Sequence, residues 1–513
     1  MTGNVTVVRS ILIYGICLPL AVFLGYLLAQ PFASTTLTTV GLVLLVLVLP
    51  LLLNWHHPLL VFSWNMNVVV LFLQGRPNLW LVMTALSLLV SVLHRTLDRQ
   101  TRFIRVRSVT WPLLFLFVVI LITAKMTGGI GLRTFGGETW GGKAYVFLLG
   151  AILGYFAFTG RRIPTQRAQL YMALFLLGGL TWAMASMVRF VSPSFYFLFA
   201  IFPVESMSLP GRELAYIPRM QGVPLAATAA ISLMCARYGI GGIFNARKLW
   251  RPALFFLLVV VVLYGGFRTM FVTLMLLFTA QFFLEGLHRT RLLMVFLIGG
   301  LFVGVVSIPL LPRLPTSIQR SFAWLPVEID PVVKLDTQYS AEWRVRMWKA
   351  ALPDVPQYLL LGKGYAIDPT ERQFQEEGFY RGFQEDYQAF ANVGTYHNGP
   401  LSVIMPLGIW GVIGFLWFLG ASFHVLHRNY RYGNPVLRSA NAFLLAAFVA
   451  QTIMFWFVFG SFFLDLPKFC GLVGMSVSLN GGVSRPLPVT AAKQIQPRLL
   501  AAILSRPKPA FGR

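Results

Sequence analysis

Apolar residues along this chain come in runs of about 20, separated by short polar connections. A bilayer's hydrocarbon core takes about 20 residues of α-helix, so such runs read as transmembrane helices. In order they fall near 10–29, 37–53, 59–74, 79–95, 109–126, 144–160, 168–190, 222–237, 252–266, 268–285, 291–311, 399–422, 439–463 and 467–481. The pattern predicts an all-α, polytopic membrane helix bundle of about 12–14 transmembrane helices. One long polar insert, 312–398, interrupts it. Of the 17 acidic residues in the protein, 11 lie between Glu328 and Asp386. That insert reads as one large outer-side helical loop. The expected organisation is an N-terminal transmembrane bundle (1–311), the large loop (312–398), C-terminal transmembrane helices (399–481) and a disordered cytoplasmic tail (482–513).

Composition agrees. The chain is 57% hydrophobic and only 12% charged, against about 25% charged residues in soluble domains. The net charge of +25 resides largely in the connections. With the N-terminus inside, HRTLDRQTRFIRVR (94–107), RRIPTQR (161–167), ARYGIGGIFNARKLWR (236–251), HRTR (288–291), HRNYRYGNPVLR (427–438) and the tail all face the cytoplasm, as the positive-inside rule requires. Residues 127–143, 202–224 and 312–398 then fall outside. The basic excess therefore reflects topology, and no nucleic-acid partner is expected, since no basic stretch is interleaved with stacking aromatics. Cys17, Cys235 and Cys470 lie singly in apolar segments and form neither a disulfide framework nor a metal spacing. The first run follows Arg9 without an obvious small-x-small cleavage site, so it reads as a retained helix.

The candidate chemistry lies on the outer side. Under this threading His56, His57, His94, His288, His424 and His427 all lie at the cytoplasmic side and are expected to be solvated. His397 is the sole outer histidine. It precedes Asn398, Gly399 and Pro400 where a helix enters the membrane. An imidazole there suits general-base work, with an ordinary pKa of about 6.5, or it bonds the backbone at the helix entry. Arg268, in LYGGFRTMF, has no acidic residue within ten positions. It is expected near the outer surface, facing a ligand or snorkelling from a helix end. The segment Ala341–Leu352 reads as a short helix stopped by Pro353. Within it Trp348 shares a face with Arg344, and Glu342 is placed to pair with Arg346, leaving Arg344 the freer cation. Arg212 and Arg219 flank Glu213, and either clamp phosphate through bidentate forks or are neutralised by that glutamate. Gly362–Gly364 lacks P-loop spacing. Neither a metal-ligand pattern nor a GxSxG elbow occurs, so no cofactor and no metal is expected.

Taken in order, these features resemble the O-antigen ligase and O-antigen polymerase superfamily of bacterial polytopic membrane glycosyltransferases. The residues that carry the resemblance are GFRT around Arg268, R-x-x-x-W at Arg344 and Trp348, LLLGKGY at 359–365, TYHNGPL at 395–401, and Gly408, Gly411 and Gly414. Arg219 to Gly222 adds a weaker R-x-x-G. GGFRT departs from the family, which often has a serine before the arginine. The motifs cover about 210–480, and the topology covers the whole chain. The resemblance implies a glycosyltransferase in the bacterial inner membrane, with 312–398 as a periplasmic loop. It would move glycan from an undecaprenyl-diphosphate-linked donor to a lipid, glycan or protein acceptor, among membrane lipids. Arg268 and Arg344 would hold the diphosphate and His397 would act on the acceptor hydroxyl. Arg212, Arg219, Trp348 and Asn398 would contribute to substrate binding. The motifs do not separate a ligase from a repeat-unit polymerase. A flippase for lipid-linked sugar is the alternative of another class. It predicts matched broken helices in two halves, and only Gly265–Gly266 offers a break. A membrane scaffold gives no reason for the outer histidine and arginines.

Overall fold

The computed structural model describes residues 34–73, 75–98, 103–128, 141–187, 192–203, 220–367 and 394–486, with Thr370, Gln373 and isolated positions between 14 and 29. Among the described residues the chain is helical, with one isolated bridge between Val69 and Asn78. In chain order the helices are α1 (Ser34–Ser63), α2 (Leu79–Leu97), α3 (Arg107–Met126), α4 (Gly142–Thr159), α5 (Ala168–Leu177), α6 (Thr181–Met187), α7 (Gly222–Ile243), α8 (Trp250–Tyr264), α9 (Arg268–Leu284), α10 (Arg291–Leu310), α11 (Thr316–Phe322), α12 (Pro331–Ala351), α13 (Val355–Tyr358), α14 (Gly399–Tyr432), α15 (Arg438–Ile453) and α16 (Phe462–Asn480). Among the described residues, 9 helical segments are long and apolar enough to cross a membrane, and α8 and α9 are shorter apolar helices. The all-helical membrane bundle expected from the hydropathy pattern is what the chain forms. The run expected at 10–29 lies largely outside the described residues.

Two expectations near the N-terminus need correction. The runs 37–53 and 59–74 predict separate spans, but the chain forms a single helix, α1, through Pro50 and Pro58 and leaves it at Ser63. The polar residues that interrupt the run need no water. His56 Nδ1 shares a hydrogen bond with Ser87 Oγ (2.9 Å), and His57 Nε2 donates to the Phe158 carbonyl (3.0 Å). Both side chains are buried, where the sequence pattern places them in solvent. Each of these buried imidazoles has one ring nitrogen bonded inside the protein, while His57 Nδ1 is buried without a hydrogen-bond partner among the described residues.

The main core is aromatic. Trp64 packs edge-on against Trp80 (5.1 Å) and Phe158 (4.9 Å) and donates Nε1 to the Pro467 carbonyl. Phe415 of α14 meets Phe455, Phe462 and Phe469 at 5.0–5.6 Å. These contacts lock α1, α2 and α4 to α14 and α16.

The connections gather at two ends. At the basic end, Ile104 N donates to Thr159 O, Ser478 Oγ to Arg161 O, and Asn441 and Asn480 bond one another. The Glu285 carboxylate accepts the N–H groups of Ile240 and Gly241 where α7 kinks at Gly239. Residues 482–486 fold back here, with Ser484 N donating to Asn429 Oδ1. The opposite end collects α11–α13, the start of α14 and the turn before α16, and it holds the candidate site.

Candidate functional site

α12 is an amphipathic helix of 21 residues, longer than the expected Ala341–Leu352. Asp330 caps it by accepting the Val332 N–H (2.8 Å), and Pro331 supplies the fixed φ that suits a first helical position. Its buried residues are Val333, Asp336, Thr337, Met347 and Ala351, spaced three and four apart as one face of a helix. Arg344 lies on that stripe and is half-buried, whereas Arg346 is exposed with its guanidinium 5.8 Å from the Tyr339 ring.

The acid on the stripe has a built partner. Arg320 of α11 pairs through Nε with Asp336 and donates from Nη1 to the Gly266 carbonyl. Both side chains of the pair are buried. The backbone turn before α9 is thereby fastened to α11 and, through the pair, to α12. Arg268 is the first residue of α9 and lies within electrostatic reach of Arg320 and Asp336.

His397 sits where α14 begins. Its φ is +49°, and among the described residues only Arg76 shares a positive φ without being glycine. Such a conformation is uncommon outside glycine and is found at functional sites. Asn398 is the α14 N-cap, with Oδ1 accepting the Leu401 N–H (3.0 Å). Trp348 Nε1 donates to the Tyr396 carbonyl (2.8 Å), in a small cluster with Ala351, Leu401 and Met405. Trp348 and Asn398, expected at the substrate, thus spend these polar atoms on shaping the turn that carries His397.

The third side of the site comes from the chain between α15 and α16. A π-helical turn, Met454–Val458, ends at Phe459 in extended backbone. Asp465 fastens the entry to α16: Oδ2 accepts Ser461 N (2.8 Å) and Oδ1 accepts Gln451 Nε2 (3.1 Å) and Lys468 Nζ (2.8 Å). The π-helical turn presses on the start of α14, where a Cβ on Gly399 would come within 2.0 Å of the Phe455 carbonyl oxygen. The approach brings the Phe459 ring to 4.8 Å from the His397 ring. Trp343 of α12 stands at 5.4 Å from the same imidazole. The Arg344 guanidinium lies 5.7 Å from the Phe459 centroid, a cation–π distance. His397 and Arg344 therefore meet around one aromatic ring. Burial first, and the Arg344 charge second, push the His397 imidazole down from 6.5 to about 4. The ring is neutral at neutral pH and can accept a proton.

The LLLGKGY motif has a mechanical role. α14 is broken at Gly408, whose φ is +63°. The break lets Lys363 N donate to Met405 O (2.7 Å), Gly364 N to Pro406 O (3.0 Å), and Ile409 N to Leu359 O (2.7 Å). The end of the insert is thereby joined to α14 backbone to backbone.

The structure thus brings Arg344 and His397 together and sets Arg268, at the start of α9, within electrostatic reach of Asp336 toward the other end of α12. Asp336 and Arg344 are separated by about 12 Å of helical rise. Arg212 and Arg219 lie outside the described residues. Sequence reasoning missed Trp343, Phe459 and the Arg320–Asp336 pair. Only the last had a readable signal, an acid in register with Val333 and Met347.

A helical bundle with a cation-flanked neutral histidine at one end defines a multi-pass membrane protein with a site suited to an anionic substrate and proton transfer. Residues 253–416 match the family model described as O-antigen ligase. The matched stretch, about a third of the chain, is similar to the O-antigen ligase family and contains Arg268, Arg320, Asp336, Arg344 and His397. No curated protein matches the chain.

Proposed function

We propose that the protein transfers glycan from an undecaprenyl-diphosphate carrier to an acceptor hydroxyl or amide at the periplasmic face of the bacterial inner membrane. The observation that carries this reading is that Arg344 and neutral His397, both inside the stretch matching the ligase family, meet around the ring of Phe459. In the reaction the acceptor oxygen or nitrogen bonds the anomeric carbon as the carbon–oxygen bond to the diphosphate breaks, with inversion in a single displacement. The diphosphate leaves with the electron pair. Arg344 matches its growing charge with a bidentate fork, and Arg268, at the start of α9, would add a second positive charge on the donor's side. His397 takes the acceptor proton. Trp343 and Phe459 wall the imidazole and limit water, whose attack would waste the donor.

With its imidazole held down at about 4, chiefly by burial, His397 is a weak base. A bound diphosphate would offset the Arg344 charge and move the imidazole upward, while the burial remains.

The test is an assay with purified protein in lipid. Carrier-linked glycan is offered with lipid A core, with peptide, or alone. Transfer to lipid A core or peptide supports the ligase. Growth of glycan on the carrier alone identifies a repeat-unit polymerase. Movement of intact lipid-linked sugar across the bilayer, with no new glycosidic bond, would replace both with a flippase.

A further inference from the structure

A second site lies at the basic end, away from His397. α3 and α14 pack tightly along part of their length: a Cβ on Gly414 would lie 2.8 Å from atoms of both Phe115 and Leu116. Toward the basic end the helices part, and at Gly420 nothing among the described residues lies within 4 Å of where a Cβ would stand. Between them opens a groove of about 580 Å³. Trp111 and Trp417 line it, both with exposed indoles, and Arg107, Ser108 and His424 form its rim at the basic end.

The order of these groups along the groove matches one kind of molecule. The rim offers a guanidinium, an imidazole N–H and a hydroxyl, and among the described residues no acidic side chain lines the groove. One turn in from the rim, the floor is Gly420, open and apolar, with the Trp111 indole level with it. The Trp417 indole lies one turn deeper, so the two indoles flank the part of the groove next to the rim, where tryptophan settles at a membrane–water boundary. We propose that this groove binds an anionic phospholipid. Its phosphate would sit at Arg107 and His424, its glycerol over Gly420 beside Trp111, and one acyl chain would run on past Trp417. A zwitterionic lipid would bring its own cation to the same basic rim, and charge complementarity therefore selects the anionic headgroup. This inference does not rest on the proposed transfer reaction, because the groove uses none of its residues.

The experiment uses the full chain, purified in mild detergent and re-exposed to phosphatidylglycerol or phosphatidylcholine of the same acyl composition. Retained lipid is counted by native mass spectrometry. Wild type should retain phosphatidylglycerol in preference, and Arg107→Gln should reduce that preference about fivefold. Arg107→Gln/His424→Gln should abolish it. Gly420→Leu, which fills the floor, should lose retention of phosphatidylglycerol while leaving the rim charge intact. Equal retention of the two lipids by wild type, or an unchanged preference in the double variant, would overturn the proposal. A photoreactive phosphatidylglycerol gives a readout on wild type alone. Crosslinks should concentrate in 107–111 and 416–424, and labelling spread evenly over the membrane-facing helices would equally overturn it.

Discussion

Consider replacing Arg344 by glutamine. In the wild-type chain His397 is pushed down from 6.5 to about 4, with burial the larger cause and Arg344 the second. The substitution removes the charge and leaves the burial. Since the arginine accounts for less than half of the difference, the variant's midpoint should rise by no more than about one pH unit. The sign comes from charge: without a cation beside it, the imidazolium is easier to form. A folded-state midpoint below that of the unfolded chain also means that His397 contributes stability above about pH 6.5, which is lost as pH falls toward 4. Arg344→Gln should therefore be the less acid-sensitive protein in this window. Turnover is a poor readout, because the variant also loses its anion clamp. Carbethoxylation of His397, followed by peptide mass spectrometry from about pH 3 to 8, reports the neutral ring directly. Half-maximal labelling should move upward from near 4. A wild-type midpoint near 6.5, or no change on removing Arg344, would refute both the burial and the proximity assigned to this pair.

Three further outcomes are expected. His397→Ala and His397→Gly should each lower turnover by about 10²- to 10⁴-fold. Because φ is +49°, the alanine variant should be less stable than the glycine variant by about 1 kcal/mol, and equal stability of the two would show the backbone is not strained there. Arg320→Met leaves the Asp336 carboxylate buried without its guanidinium and should destabilise by about 3–5 kcal/mol, while Arg320→Met/Asp336→Leu recovers most of the loss. Thermal unfolding in detergent decides this, and a single variant that melts like wild type would remove the buried pair from the account. Gly408→Ala adds a Cβ 2.7 Å from the carbonyl oxygens of Leu359 and Leu360, so the joint should loosen. Limited proteolysis should then cut within 352–366 faster than in wild type.

Much of the fold was legible because lipid imposes one rule on every span: about 20 apolar residues in a helix. α2, α3, α4, α7–α10 and α14–α16 follow from that rule, and of the helices in the insert only part of α12, Ala341–Leu352, was legible. α1 was misread because His56 and His57 break the apolar run in sequence, yet satisfy ring nitrogens at Ser87 and Phe158, contacts no local pattern contains. For the site, His397 and Arg344 could be singled out by residue type and position. The rest could not. Phe459 reaches the imidazole only because Gly399 admits the 454–460 turn, from some sixty residues further along the chain. Trp348 and Asn398 read as ligand contacts from sequence, and the backbone bonds made by Trp348 Nε1 and Asn398 Oδ1 were not legible there.

α12 has a consequence of another kind, because it acts as both ruler and compass. Near one end Asp336 is tied through Arg320 to the membrane turn at Gly266. Eight residues on, Arg344 points to the histidine's surroundings. The spacing between these points is set by helical rise and their relative bearing by helical phase. One residue inserted between them would carry Arg344 about 1.5 Å along and 100° around the axis, off the buried stripe and away from Phe459. Chain length is therefore fixed between Asp336 and Arg344, and the insert can lengthen or shorten only outside that interval.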